Sequence, residues 1–452
     1  MKKMSIVLLL VPAILATPVW AQSKLDEAIE KAYKKLEEGK TEDAVKELTK
    51  ATKDAGAPGF AALGELHEHL GQLDEAGAAY TQATQVATPA YKPEALALLA
   101  NFTLRVGTGR EALRLANTAV EAGETATTLA ARARAQVRTE DAPGALETAD
   151  KAVALDASNK MAQVARGEAL FALGQNADAE AALKKAVQLA PDFPLAHTRL
   201  SRVLLALGRP PEAVAAARKA TELDESFGEG FAILGGALIA ENLNNWGEAI
   251  AQAQQGAFLD PANPIVNTIV GRIFEANGQV DQAVASYRKA LAADAGFAPA
   301  RLALIKSELN RGNREVAIAE AKKAAADMPT SPEIQYLLAV EAARQDDYKA
   351  ALGYLERAIK GMPGSADAWA LLGRAYQFNK RPDDAAQAYG KAVELAPQNF
   401  NYRTTYGLLL GITGDLEGGL AQLTKVVETP GYKEAAAWAN LGWTHRKMNN
   451  PQ

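Results

Sequence analysis

The sequence predicts an all-α array of about thirteen antiparallel helix pairs, and three observations carry that expectation. Apolar residues make up 48% of the chain but aromatics only 6%, which with heavy use of Ala suits closely packed helices better than a thick mixed core. At 452 residues the chain exceeds the usual span of one compact core, so it reads as several domains or one open-ended array. One register position, most often small, then recurs at Ala32, Gly64, Ala100, Ala133, Gly167, Ser201, Gly235, Gly271, Ile305, Ala339, Gly373, Gly407 and Gly442. The steps run from 32 to 36 and are mostly 34, the period of a helix-pair repeat.

In chain order, the first residues are expected to be a leader and not part of the array. Lys2 and Lys3 precede an apolar run from Met4 to about Leu15, too short to span a membrane as a helix of roughly 20 residues. Val19-Trp20-Ala21 offers a small residue for cleavage, so residues 1–21 read as a secretory signal peptide cleaved near Ala21. The expectation is a periplasmic or secreted bacterial protein with no stable membrane insertion after cleavage. The chain has no Cys, which excludes a lipid-bearing thiol and any disulfide. The formal charge is −5 and becomes −7 without the two leader lysines, whereas a wholesale nucleic-acid binder needs a basic excess. No nucleic-acid partner is expected.

Within each unit the residue choices follow from packing. In residues 368–397, the small Gly373, Ala385 and Ala392 allow two helix backbones to approach, while Trp369, Leu372, Tyr376 and Tyr389 fill the gaps at helical spacing. Pro191, Pro261, Pro329, Pro363 and Pro397 stand just after second helices, where proline stops a helix. Gly39, Gly71, Gly107, Gly174, Gly208, Gly278, Gly312 and Gly414 stand in the turns inside units, as expected of left-handed caps.

These positions resemble the tetratricopeptide repeat family, whose pattern is W-x2-L-G-x2-Y, then A-x3-F/Y, then P. Trp369, Leu372, Gly373, Tyr376, Ala385, Tyr389, Ala392 and Pro397 match each marked position, and Leu63, Gly64, Gly71, Ala76, Tyr80 and Ala83 match nearly as well. The resemblance covers essentially all of residues 23–452. It implies a right-handed superhelical solenoid and a non-catalytic scaffold or adaptor that binds extended peptide segments or partner proteins in a concave groove.

Departures from the period divide the array. A step of 36 into Ala100 lengthens the connection at Thr88–Pro93, suggesting an N-terminal repeat segment at 22–92 and a main solenoid at 93–452. A second step of 36 adds two residues around Asn242–Trp246, where Trp246 is read as covering a longer turn. Trp438, Leu441 and Gly442 open a thirteenth repeat without its second helix, so either that helix caps the array or the sequence belongs to a longer protein. The alternative function is therefore a scaffold subunit of an outer-membrane export or pilus machine of the exopolysaccharide or cellulose type.

Catalytic patterns are weak. Gly107-Thr108-Gly109 mimics a dinucleotide loop but lies between helices without a preceding strand, and Gly39-Lys40-Thr41 lacks the partner glycine of a phosphate loop. Ser286 and Lys289 make S-x-x-K by position alone. His67, His69, His197 and His445 are the only histidines, and the first two point about 200° apart on a helix. No catalytic residue, cofactor or metal is expected.

The family's first helices line the concave face, and the position after the recurring small residue faces away from the second helix. From the third to the eleventh repeat it reads Asn101, Arg134, Glu168, Arg202, Gly236, Arg272, Lys306, Val340 and Arg374, with Arg105, Arg138 and Arg344 one turn further on. Arg105, Arg134, Arg138, Arg202, Arg272, Lys306, Arg344 and Arg374 are thus the expected groove residues. A basic track inside an acidic protein would suit an acidic protein or peptide segment, or an anionic polysaccharide, through charge-assisted hydrogen bonds.

Overall fold

The computed structural model describes residues 19–242, 244–327, 331–429 and 435–449. The leader expected at 1–21 falls largely outside these residues, as do Pro329 and the last three residues of the chain. Twenty-five α-helices and no strand occur among the described residues. Each recurring position lies in the first helix of a pair: Gly64 in Ala57–His69, Gly235 in Gly228–Glu241, Gly373 in Ala366–Phe378. Twelve pairs are numbered here as repeats 1–12, and Ala435–Asn449 is the first helix of repeat 13.

The small residues are small because a large side chain of the paired helix sits on them. A Cβ on Gly271 would lie 2.4 Å from Tyr287, one on Gly373 2.5 Å from Tyr389, and one on Gly167 2.6 Å from Leu183. Each large residue is sixteen places after its glycine, so one backbone-to-side-chain contact repeats along the array. Tyr287 and Leu183 are almost wholly buried, and alanines such as Ala283, Ala290, Ala385 and Ala392 complete the seam. Adding volume there costs about 1–3 kcal/mol.

The turns inside repeats use a left-handed residue after the first helix. Gly39, Gly71, Gly174, Gly208, Gly278, Gly312 and Gly414 have φ between 70° and 101°. Gly107 does not: its φ is −124°, because the step from Ala100 to Ala133 is one residue short and Thr108 already caps the next helix through Glu111 N. Glu140, Asp346 and Lys380 occupy the left-handed position without being glycine. Asn and Asp caps set other helix starts, as where Asn263 Oδ1 accepts from Ile265 N and Val266 N.

The chain divides into two compact units, Met1–Ser307 and Glu308–Gln452. The boundary read from sequence at 92/93 falls inside the first unit, where Tyr91, Ala95, Ala57 and Ala83 share one apolar cluster. Trp246 begins the second helix of repeat 7 and is half-buried beside the enlarged turn. In the second unit, Tyr348, Leu355, Leu372 and Ala375 form one cluster and Tyr389, Ala392 and Leu409 the next. No described helix is long and apolar enough to cross a membrane.

Candidate functional site

In the first unit the array curls until repeats 2–4 meet repeats 6–8, and one histidine–aspartate contact and two ion pairs in register join them. His69 Nδ1 lies 3.7 Å from Asp224, Arg105 Nε 3.2 Å from Asp260, and Arg138 Nη2 3.1 Å from Asp294. His69, Arg105 and Arg138 each stand five residues after the recurring position of their repeat. Asp224, Asp260 and Asp294 each cap the end of a second helix. The same two register positions thus meet three times, forming a ladder.

Burial grows along the ladder, from side chains 28% and 30% exposed at the His69 rung to 6% and 6% at the Arg138 rung. Asp294 is the most fully used: its Oδ1 accepts from Gly296 N at 3.0 Å, and its Oδ2 accepts from Arg138 and from Gly109 N at 3.2 Å. Arg138 also lies 4.4 Å over the Phe297 ring. Ser226 Oγ is 3.0 Å from His69 Nδ1. Arg105 Nη1 donates to Glu68 Oε2 at 2.6 Å, and Tyr80 Oη donates to Glu68 Oε1 at 2.5 Å. Burial tends to discharge Arg105, but Asp260 and Glu68 outweigh it and hold the guanidinium above its ordinary value.

Behind the ladder is a cavity of about 1320 Å³, walled by Leu104, Phe171, Ile233, Ile269, Ile273 and Phe297 among others. A chain of charges crosses its wall. Arg134 Nη1 donates to Asn101 Oδ1 at 2.5 Å and its Nε to Glu168 Oε2 at 3.0 Å, so neighbouring members of the expected stripe touch. Arg199 bridges Glu168 and Glu229. Burial pushes the Glu168 carboxyl up, yet Arg134 and Arg199 together hold it at about 2. Glu65 behaves oppositely: burial, then the neighbouring Glu68, push it up to about 8.

Of the eight expected groove residues, Arg105, Arg134, Arg138, Arg202 and Arg272 line this one cavity. The first three are already paired with carboxylates. Arg202 rests over the Phe171 ring at 5.4 Å, and Arg272 is exposed. Lys306 is exposed and does not line the cavity. Arg344 and Arg374 belong to the second unit. There Arg344 Nε is 3.4 Å from Glu341, and Arg374 packs over Tyr348 and Phe378, whose rings stack 3.9 Å apart.

Sequence reasoning missed the acidic half of the site: Glu65, Glu68, Asp224, Glu229, Asp260 and Asp294, together with Arg199. A signal existed for the aspartates, which recur at steps of 36 and 34 in phase with the array. Their local turn role, as with Ser226 N donating to Asp224 Oδ1 at 2.9 Å, is what an isolated Asp there suggests. The described residues contain no group of three His, Asp or Glu that could hold a metal ion. His67 bonds Gln72 and His197 bonds the Pro191 carbonyl.

Two family models described as tetratricopeptide repeat match the chain, one at residues 29–91, 164–226 and 234–298, the other at 275–340 and 342–409. No curated protein matches it. Among solved structures, the APC/C hetero-tetramer Cut9-Hcn1 is similar at 16% identity and TM-score 0.42, over 94% of this chain and 97% of that one. The human IFIT1 dimer with PPP-AAAA is similar at 16% identity and TM-score 0.46, over 85% and 96%. With the matched segments covering well over half of its length, the chain belongs to the tetratricopeptide repeat family.

Proposed function

We propose that the protein is a non-catalytic adaptor that holds an extended segment of a partner protein in the cavity of its first unit. Tetratricopeptide repeats generally mediate protein–protein interaction and scaffolding, and this reading assigns that role to the cavity. The observation that carries the reading is a large apolar-walled cavity whose polar groups are mostly paired with one another. A pre-paired wall adds little desolvation cost when a segment of chain enters, and the apolar side chains supply the binding free energy. Eight acidic side chains and six arginines line it, most of the arginines already paired with carboxylates, so the wall offers no basic surplus to an acidic polysaccharide.

The envelope address rests on residues 1–21 alone and is part of the same proposal, and a place in an export or pilus machine depends on that address. N-terminal sequencing of protein purified from cell envelopes should begin at Gln22; a start at Met1 would count against it.

The experiment for the cavity is selection of displayed peptides on the intact protein, followed by measurement on Ile269→Trp, a half-buried cavity residue. Selected peptides should bind the wild type and lose about tenfold or more on the filled cavity. Peptides that bind both proteins equally would place recognition elsewhere and contradict the proposal.

A further inference from the structure

We propose that the His69 rung is a pH-operated clasp at one mouth of the cavity, drawn onto Asp224 in mild acid and loosened as pH rises through neutrality. It stands apart from what occupies the cavity.

The ladder position five residues after the recurring one carries Arg105 and Arg138 in repeats 3 and 4 but His69 in repeat 2, while the facing residue is aspartate each time. A guanidinium stays charged throughout, whereas an imidazole ordinarily changes charge between about pH 5 and 8. One rung of the three can therefore lose its charge. It is the end rung, and His69, Asp224 and Ser226 all line the cavity. The apolar cores on its two sides are separate clusters: Leu66 packs with Leu25 and Leu48, and Leu204 and Ala217 pack with Leu234. The other rungs have further support, from Glu68 on Arg105 and from Gly109 N on Asp294, so loosening stays local to repeat 2.

The hydrogen bonds fix the sign. Ser226 Oγ lies 2.6 Å from Asp224 Oδ1 and 3.0 Å from His69 Nδ1. A hydroxyl has one hydrogen, and at 2.6 Å it is spent on the carboxylate, so Nδ1 carries the hydrogen shared with Ser226. A neutral imidazole does this in one of its two tautomers. The imidazolium always does, and it also attracts Asp224 at 3.7 Å. The rung is thus strongest when His69 is charged and weakens as pH rises.

The groups around His69 act in the same direction. Tyr33 of repeat 1 meets the imidazole edge-on with ring centroids 6.4 Å apart. Burial, Glu65 and Asp224 push its hydroxyl up to about 12, so it stays neutral. On the helix of His69, Glu68 is held by Arg105 and Tyr80. Glu65, one turn before His69, is pushed up to about 8 by burial and by Glu68, against the pull of Lys160. Its ionisation adds negative charge to the repeat 2 side of a mouth whose repeat 6 side already holds Glu222, Asp224 and Glu225. Glu65 therefore supplies a second, more alkaline step of loosening.

Spin labels on Asp74→Cys and Glu225→Cys, exposed positions either side of the rung in a chain without Cys, read this mouth by dipolar spectroscopy with no peptide added. From about pH 5.5 to 7.5 the distance should change from one narrow, short distribution to a broader, longer one. H69R should stay narrow at both pH values, and H69Q broad at both. At about pH 9 H69Q should broaden again, and H69Q/E65Q should not; equal behaviour of these two removes Glu65 from the clasp. The same distribution at pH 5.5 and 7.5, or the wild-type step repeated in H69R and H69Q, overturns the clasp. Should H69R not fold, H69Q alone decides: constant breadth supports the clasp and a wild-type step overturns it. Failure here leaves the cavity reading standing, and peptides that ignore the cavity leave the clasp standing.

Discussion

The two units use the same repeat but treat their inner-face cations differently. In the first, Arg105 and Arg138 reach carboxylates four repeats away, on Asp260 and Asp294. In the second, Arg344 pairs with Glu341 on its own helix, and Arg374 lies over the stacked rings of Tyr348 and Phe378 in adjacent repeats. A unit long enough for repeat 2 to meet repeat 6 can tie its own curvature with charge. The second unit spans too few repeats for several such rungs and satisfies each cation locally. The lesson is that one register position, held by Arg138 in the first unit and Arg344 in the second, changes from a long-range tie to a local pair according to how far the array curls.

The largest expected effect breaks that contrast at the buried rung. Arg138→Ala strands the Asp294 carboxylate in a site only 6% exposed, so it should destabilise the first unit by about 3–5 kcal/mol in urea unfolding. His69→Ala, at the half-exposed rung, should cost no more than about 1 kcal/mol. Equal losses at the two rungs would contradict the gradient of burial. Arg344→Ala, in the second unit, should also stay within about 1 kcal/mol.

Overpacking comes next. Gly373→Trp drives a side chain into the Tyr389 ring and should cost about 1–3 kcal/mol or more, splitting the melt because repeats couple mainly to neighbours. An unchanged single transition would mean the small position is misassigned. The equivalent Gly271→Trp strikes Tyr287 in the cross-tied unit, where the loss should spread and the unit should melt as one.

The pH response is smaller and belongs to the first unit. Glu168 is depressed to about 2, so its contribution is present above the ordinary glutamate value and is lost as pH falls from about 5 towards 2. Glu65 is raised to about 8, so its contribution is full below pH 4.5 and is lost as pH rises towards 8 and beyond. Glu65→Gln should therefore raise the melting temperature at pH 9 relative to the wild type, and by less at pH 5. A gain independent of pH would show that Glu65 is ionised at neutral pH.

The smallest effect is at the turns. Lys380 holds φ 60° where other repeats place glycine, so Lys380→Gly should change stability by less than about 1 kcal/mol and in the stabilising direction. Gly312→Ala, at φ 80°, should do the reverse by a similar amount.

The fold was legible because its constraint is local. A residue that must admit Tyr389 or Leu183 against backbone has to be small, and the requirement returns each time the pair of helices does. The turn glycines were legible for the same reason, except Gly107, where a one-residue shortening removed the left-handed position. Three neighbours on the expected stripe, Asn101, Arg134 and Glu168, do touch one another in register. The chemistry of the stripe was not legible. Whether Arg138 faces a ligand or Asp294 depends on the summed curvature of four repeats, and no single repeat encodes that sum. Arg199 was missed because it lies two residues before the recurring Ser201, off the stripe, and reaches Glu229 only through the close approach of adjacent first helices.

The central claim is that charge holds the first unit curled around its cavity, and a distance across the Arg138 rung measures it directly. The chain has no Cys, so Glu140→Cys and Ala295→Cys can carry a pair of spin labels without background. Both positions are exposed, and they flank Arg138 and Asp294. Dipolar spectroscopy should give one narrow, short distance in the otherwise wild-type protein, and a broader, longer distribution when Asp294→Ala is added. A broad distribution in both, or the same narrow distance in both, would contradict the account.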